Sequence, residues 1–333
     1  MSEACVVLQA EQIRMWFPVR NALGRVVNHV KAVEEVSLCL HAGETYGLVG
    51  ESGCGKSTLG RVLVRLLEPT EGSVNLFGND ISHLKDKALL PFRRDIQMVF
   101  QDPYTSLDPR QRIGNMLMEV QQIHHIGRNR DERMARAMET LGQVGLLKEH
   151  FYRFPHEFSG GQRQRIGLAR ALILDPKVII CDEPVSALDV SIQSQIINLL
   201  RELQKKRQLS YVFISHDMSV IKYISDRVGV MYLGHLVEEA DTEELFAHPV
   251  HPYTKTLMSA VPSIDTRNTG ERIVLKGELP SPIDPPSGCV FHTRCPMATG
   301  ACMTDPPALR EISPGHWAAC PICAVQSIGQ ANS

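Results

Sequence analysis

Gly50-Glu51-Ser52-Gly53-Cys54-Gly55-Lys56-Ser57 lies between a strand-like run, Glu44 to Val49, and a helix-like run, Lys56 to Leu67. The octet satisfies G-x-x-x-x-G-K-[ST] in the strand-loop-helix setting that gives the pattern its meaning. Glycines let successive backbone N–H groups curl round phosphate oxygens, and the helix starting near Lys56 adds its positive end. Lys56 would reach the terminal phosphates, and Ser57 would place its hydroxyl on magnesium. The bland alternative is a glycine-rich turn with an exposed lysine, and the flanking elements weigh against it.

Outward from this loop, apolar strand-like runs alternate with helical patterns: KVIICD, then SIQSQIINLLRELQ, then YVFIS. Such alternation predicts an α/β fold, a mostly parallel sheet covered by helices. A helical insertion is expected at about 109–173, where ERMARAMETLGQVGL carries apolar residues at helical spacing. Ten of the 20 prolines follow Ala260. The expected division is therefore a domain at 1–260 and a small, loop-rich, cysteine-containing appendage at 261–333.

Two further stretches carry chemistry. The strand Val178 to Cys181 ends in Asp182 and Glu183, which would hold the magnesium shell and orient or deprotonate an attacking water, respectively. Alone, an apolar strand ending in two acids is equally a solvated strand end. Phe158-Ser159-Gly160-Gly161-Gln162 opens a helix with a capping serine and two glycines, a second approachable anion site or an ordinary capped helix.

Composition narrows the class. The 333 residues are 43% hydrophobic and 22% charged with a formal charge of −2, so a disordered or collagenous chain is excluded and no global basic field points to nucleic acid. The amino-terminal stretch has an acidic residue where a secretory signal is basic, and no run approaches the ~18 apolar residues of a membrane span. If the protein works at a membrane, a partner is expected to hold it there.

The ordered set GESGCGKST, VFQDP with Gln101, FSGGQRQR, IICDEP, SALD with Asp189 and YVFISHD with His216 resembles the ATP-binding cassette of ABC transporters, from about Leu8 to Ala260. The resemblance implies a P-loop NTPase of the cassette type working as a head-to-tail dimer. Gly50, Ser52, Gly53, Gly55, Lys56, Ser57 and Thr58 would bind nucleotide, with Ser159, Gly160, Gly161 and Gln162 closing over it from the other subunit. It implies magnesium held by Ser57, Gln101 and Asp182, catalysis by Glu183 with His216 and Gln101, and dimer communication through Asp189. It also implies an aromatic stacked on adenine, here Phe17, with Trp16 as the rival. Long coiled coils and a second cassette, marks of repair and translation relatives, are missing from the pattern.

His251-Pro252-Tyr253 and the following GELPSPIDPPSGCVFHTRC resemble the appendage of peptide-importer ATPases in the dipeptide, oligopeptide and nickel group. That resemblance implies import of di- or oligopeptides by a bacterial transporter. Its other parts would be a paralogous ATPase, two permease subunits and an external binding protein, with this chain peripheral on the cytoplasmic face of the inner membrane. Nickel or another solute of the group is the alternative cargo. His251 and Tyr253 are expected to be packing residues rather than catalytic ones.

Of nine cysteines, five lie between Cys289 and Cys323. Thiols crowded into a small proline-rich segment suggest a staple made of disulfides, zinc or iron and sulfur. A reducing cytosol disfavours disulfides, and zinc suits four cysteines and the Cys320-x-x-Cys323 spacing. Cys295 and Cys320 each precede proline, a ferredoxin-like trait, and unliganded packing is the plain alternative. The importer resemblance implies a structural four-iron four-sulfur cluster on Cys289, Cys295, Cys302 and Cys320, with Cys323 as the competing fourth ligand.

Overall fold

The computed structural model describes residues 5–102, 106–260 and 277–322. It begins with β1 (Val6–Arg20), β2 (Val26–His41), β3 (Thr45–Val49), α1 (Lys56–Leu63), β4 (Glu71–Leu76), β5 (Asn79–Asp80) and β6 (Ile96–Val99). Next come α2 (Ile113–Ile123), α3 (Arg130–Gln143), α4 (Gly160–Leu172), β7 (Val178–Asp182), α5 (Val190–Arg207), β8 (Ser210–Ser215) and α6 (Met218–Ile224). Further along are β9 (Arg227–Tyr232), β10 (His235–Asp241), α7 (Thr242–Ala247), α8 (Pro252–Ser259), α9 (Ala301–Thr304), β11 (Arg310–Ser313) and β12 (His316–Ala318), with short helical turns at Asp86–Leu89, Phe92–Asp95, Lys148–Tyr152 and Pro155–Glu157 left unnumbered. Strands β2, β1, β4 and β5 neighbour one another in that order. The chain divides into two compact units, one of Met1–Leu8, Cys39–Glu44 and Asn75–Ile214, the other of Gln9–Leu38, Thr45–Val74 and Ser215–Ser333.

In the first unit β6, β7 and β8 are parallel, with Ile96 opposite Val178 and Val178 opposite Ser210. Val178 to Cys181 and Tyr211 to Ile214 are fully buried, as expected of parallel strands covered on both faces. Parallel neighbours need crossovers. The one from β7 to β8 is α5, which buries Ile196, Ile197, Leu200 and Leu203 along one face and receives the Tyr211 hydroxyl at the Leu200 carbonyl, 3.1 Å away. The path from β6 to β7 carries α2, α3 and α4. Asn129 caps α3 by accepting the Glu132 N–H, and the Gln121 amide of α2 donates to the Arg133 carbonyl of α3.

In the second unit β3 runs parallel to β9, and β9 turns antiparallel into β10 through Leu233-Gly234, both left-handed as a tight two-residue hairpin requires. The carboxy-terminal segment then adds strands: β12 pairs with β10 (Glu238 opposite Ala318) and β11 pairs with β12. Patterning misses these strands, which are only three and four residues long.

One carboxylate secures that addition. Fully buried Glu238 accepts the His316 Nε2–H at 2.8 Å and the backbone N–H groups of Val250 at 2.7 Å and His251 at 2.9 Å. Burial opposes a charge on His316, but its bonds to Glu238 and Glu244 hold its pKa above the ordinary value. Burial pulls His251 down to about 4, so its ring stays neutral and Nδ1 accepts the Tyr253 N–H as an N-cap. Glu238→Ala strands three donors; we expect a loss of about 3–5 kcal/mol in urea unfolding, with Glu238→Gln losing less.

Candidate functional site

All five residues of β3 are buried, and the chain leaves the strand at Gly50. A Cβ on Gly50 would stand 2.1 Å from the Met231 carbonyl oxygen, and one on Gly55, at φ 105°, would stand 2.1 Å from that of Ala32. Only glycine permits these approaches. The loop therefore folds back tightly into α1, whose first residue is Lys56. That side chain is 4% exposed, and its Nζ donates to the carbonyls of Gly50 at 2.7 Å and Glu51 at 2.9 Å. Cys54 lies 3.7 Å from the same nitrogen, and burial raises its thiol pKa although Lys56 pulls the other way. Ser57 and Thr58 are half-buried on the first helical turn, while Ser52 and Gly53 are exposed.

Glu51 within this loop is gripped twice. Its N–H donates to the Tyr253 hydroxyl at 2.7 Å, and its carboxylate accepts Nη1 of Arg294 at 2.7 Å and Nη2 at 3.1 Å. The sequence motifs give Glu51 and Arg294 no role and read Tyr253 only as a packing residue, so this grip is not foreseen. The partners lie 202 and 243 residues away along the chain, beyond any local pattern.

In the first unit, β7 delivers Asp182, 1% exposed, and Glu183, 9% exposed. Glu183 is left-handed, with φ 44°, an uncommon conformation for a non-glycine residue that is held here by its N–H on the Ile214 carbonyl at 3.0 Å. Its carboxylate accepts the side-chain amide of exposed Gln101 at 2.8 Å. Three predicted residues thus meet at the ends of β6 and β7. Ser159 caps α4 reciprocally with Gln162, the serine accepting the Gln162 N–H and Gln162 Oε1 accepting the Ser159 N–H. Gly160 and Gly161 form the first helical turn behind it. Asp189 stands exposed at the N-cap of α5 without a side-chain capping bond.

His216, in the second unit, is exposed at the entry to α6, which Asp217 caps by accepting the Ser219 N–H. Trp16 and Phe17 are consecutive on β1 and face opposite sides of the strand. The Trp16 indole donates to Glu34 at 2.9 Å and carries Arg14 and Lys31 each 5.8 Å from its ring centroid. Its ring is therefore engaged.

Cys289, Cys302 and Cys320 are buried and Cys295 is half-buried. Burial pushes Cys289 up to about 11, and the neighbouring thiols of Cys302, Cys320 and Cys295 add to the rise. The cysteines are thus near one another, and their donor type suits iron or zinc. Yet no three His, Cys, Asp or Glu side chains among the described residues stand in a metal-holding arrangement, so the iron–sulfur expectation gains no support here. Cys323 lies outside the described residues. No helix among them is long and apolar enough to cross a membrane.

Comparison with known proteins agrees with this geometry. Residues 33–186 match the family model described as ABC transporter, and residues 237–302 match that described as Oligopeptide/dipeptide transporter, C-terminal region. The chain is 54% identical over 320 residues to the Oligopeptide transport ATP-binding protein AppF of Bacillus subtilis (strain 168), covering 94% of this chain and 96% of that one. It is 50% identical over 309 residues to the Oligopeptide transport ATP-binding protein OppF of Salmonella typhimurium (strain LT2), covering 91% and 92%. Among solved structures, the ATP-binding cassette MJ0796 in a dimeric post-hydrolysis state with ADP and Pi superposes with a TM-score of 0.63 at 28% identity, covering 71% of this chain and 98% of that one. With the glycine-rich loop closed on Lys56, the buried acid pair and the capped glycine helix in view, the chain belongs to the ATP-binding cassette family, among the ATP-binding proteins of oligopeptide and dipeptide transporters.

Proposed function

We propose that this chain hydrolyses ATP to drive import of di- or oligopeptides, working peripherally at the cytoplasmic face of a bacterial inner membrane with a paralogous ATPase, two permeases and an external binding protein. The observation that carries hydrolysis, rather than nucleotide binding alone, is Glu183: a buried carboxylate in a left-handed backbone, tied by its side chain to Gln101 at 2.8 Å. The peptide cargo rests on end-to-end similarity to oligopeptide transport proteins, which includes the carboxy-terminal region.

In this reading the N–H groups of Gly50 to Thr58 cradle the phosphates and Lys56 moves from the loop carbonyls onto the terminal oxygens. The Ser57 hydroxyl, the Gln101 amide oxygen and the buried Asp182 carboxylate are hard oxygen donors suited to magnesium, which would neutralise charge building on the phosphates. Glu183 orients the attacking water and takes its proton, while Gln101 holds Glu183 in register. His216 contacts the γ-phosphate. Ser159 to Gln162 offer a helix N-terminus to nucleotide held by the opposite subunit, with Asp189 reporting across the dimer. Phe17 stacks on adenine, a role supported by the engagement of the Trp16 ring with Glu34, Arg14 and Lys31.

For the appendage we infer a structural four-iron four-sulfur cluster on Cys289, Cys295, Cys302 and Cys320, a reading that rests on the crowding of these cysteines, three of them buried, into one short proline-rich segment. Ligation would expel protons from those thiols and brace the segment. Anaerobic purification followed by elemental analysis is expected to find about four irons and four sulfides per chain. Stoichiometric zinc without iron, or no metal, overturns this.

Glu183→Gln should leave ATP binding intact, slow phosphate release at least ~100-fold and trap a nucleotide-bound dimer visible by gel filtration. Lys56→Ala should weaken ATP binding by ~10- to 100-fold in direct titration, since it removes a charged donor from the phosphates.

A further inference from the structure

The phosphate loop does not stand alone in its unit. Glu51 is held at its N–H by Tyr253 and at its carboxylate by Arg294, one from the start of α8 and the other from the carboxy-terminal segment. Arg294 is 8% exposed at its side chain and lies 5.9 Å from the Tyr232 ring centroid. Its Nε is buried without a hydrogen-bond partner. The guanidinium is therefore placed to serve Glu51 rather than to satisfy all of its own donors. Around it the rings of Tyr232, Tyr253 and Phe291 pack edge to face or tilted, with centroids 4.7–5.5 Å apart. Successive turns between Cys289 and Cys295 aim the arginine, with the Arg294 N–H on the Phe291 carbonyl and the Cys295 N–H on that of His292. A further tie joins the Lys31 N–H to the Pro282 carbonyl.

A bare carboxylate in a loop built to receive phosphates would repel them. Paired with Arg294 in a two-pronged contact, the Glu51 carboxylate is neutralised and fixed. The hydroxyl of Tyr253 meanwhile fixes the backbone of the residue whose carbonyl receives Lys56. We propose that Arg294 and Tyr253 are positioning residues of the nucleotide site, through which the carboxy-terminal appendage and the helix α8 before it set the affinity for ATP by covering and holding Glu51. This rests on Gly50 to Ser57 being the phosphate loop.

The test measures ATP KM and kcat in the complete transporter with saturating peptide-loaded binding protein. Arg294→Ala is expected to raise KM about tenfold with kcat within about twofold, the pattern of lost binding rather than lost chemistry. Adding Glu51→Gln to that chain should return KM to within about threefold of the parent, because the amide leaves no charge to cover. Arg294→Lys should fall between, keeping the charge but not the fork. An unchanged KM in Arg294→Ala, or a double variant worse than the single one, overturns the proposal, since a mere brace would make the two lesions add. Should Arg294→Ala fail to assemble, Tyr253→Phe keeps the ring packing and removes only the hydroxyl. A KM rise of about threefold is then expected, and no rise overturns the proposal. Lys56→Ala run in parallel separates the two levels. Normal hydrolysis there defeats the phosphate-loop reading, whereas its loss beside unaltered Arg294 and Tyr253 variants defeats only the role of the appendage.

Discussion

The glycine-rich loop after β3 is shaped by a buried cation closing on its own backbone. Lys56, almost without solvent contact, finds its partners in the carbonyls of Gly50 and Glu51. A buried ammonium is costly unless hydrogen-bonded, so the loop has to curl until those oxygens face inward. The curl in turn brings Gly50 against Met231 and Gly55 against Ala32, where no side chain fits. One charge thus dictates the glycines, the tightness of the turn and the start of α1.

A different constraint shapes the acid pair. β7 is buried along its whole length and apolar until Asp182, and Glu183 then leaves it in a left-handed conformation that costs on the order of 1–2 kcal/mol. Strain of this kind persists because the Ile214 carbonyl and the Gln101 amide define where the residue must sit. The Ser159 helix carries no such strain, since its capping box is an ordinary local solution.

Much of this was legible in the sequence because it is local. The glycine spacing around Lys56, the apolar run into Asp182 and Glu183, and Ser159 followed three residues later by Gln162 all act within a turn or a strand. Contacts made across long stretches of chain were not legible: Glu51 with Arg294, Glu238 with His316, and the short strands β11 and β12. His251 and Tyr253 could be read as packing residues, but nothing in His-Pro-Tyr says that the tyrosine hydroxyl meets the loop. The cysteine spacing likewise says nothing of how the thiols are arranged.

The distance along the chain between Glu51 and Arg294 also has a meaning in time. At roughly 5–20 residues per second, the ribosome adds residue 294 about 10–50 s after residue 51. For that interval the nascent loop has its glycines and its lysine but neither of the groups that grip Glu51. Contacts of such high order form late, after the loop-closure entropy between their ends has been overcome. The loop of this chain therefore gains the groups that grip Glu51 only after residue 294 has been made, and a product truncated before it would carry the glycine motif without that grip.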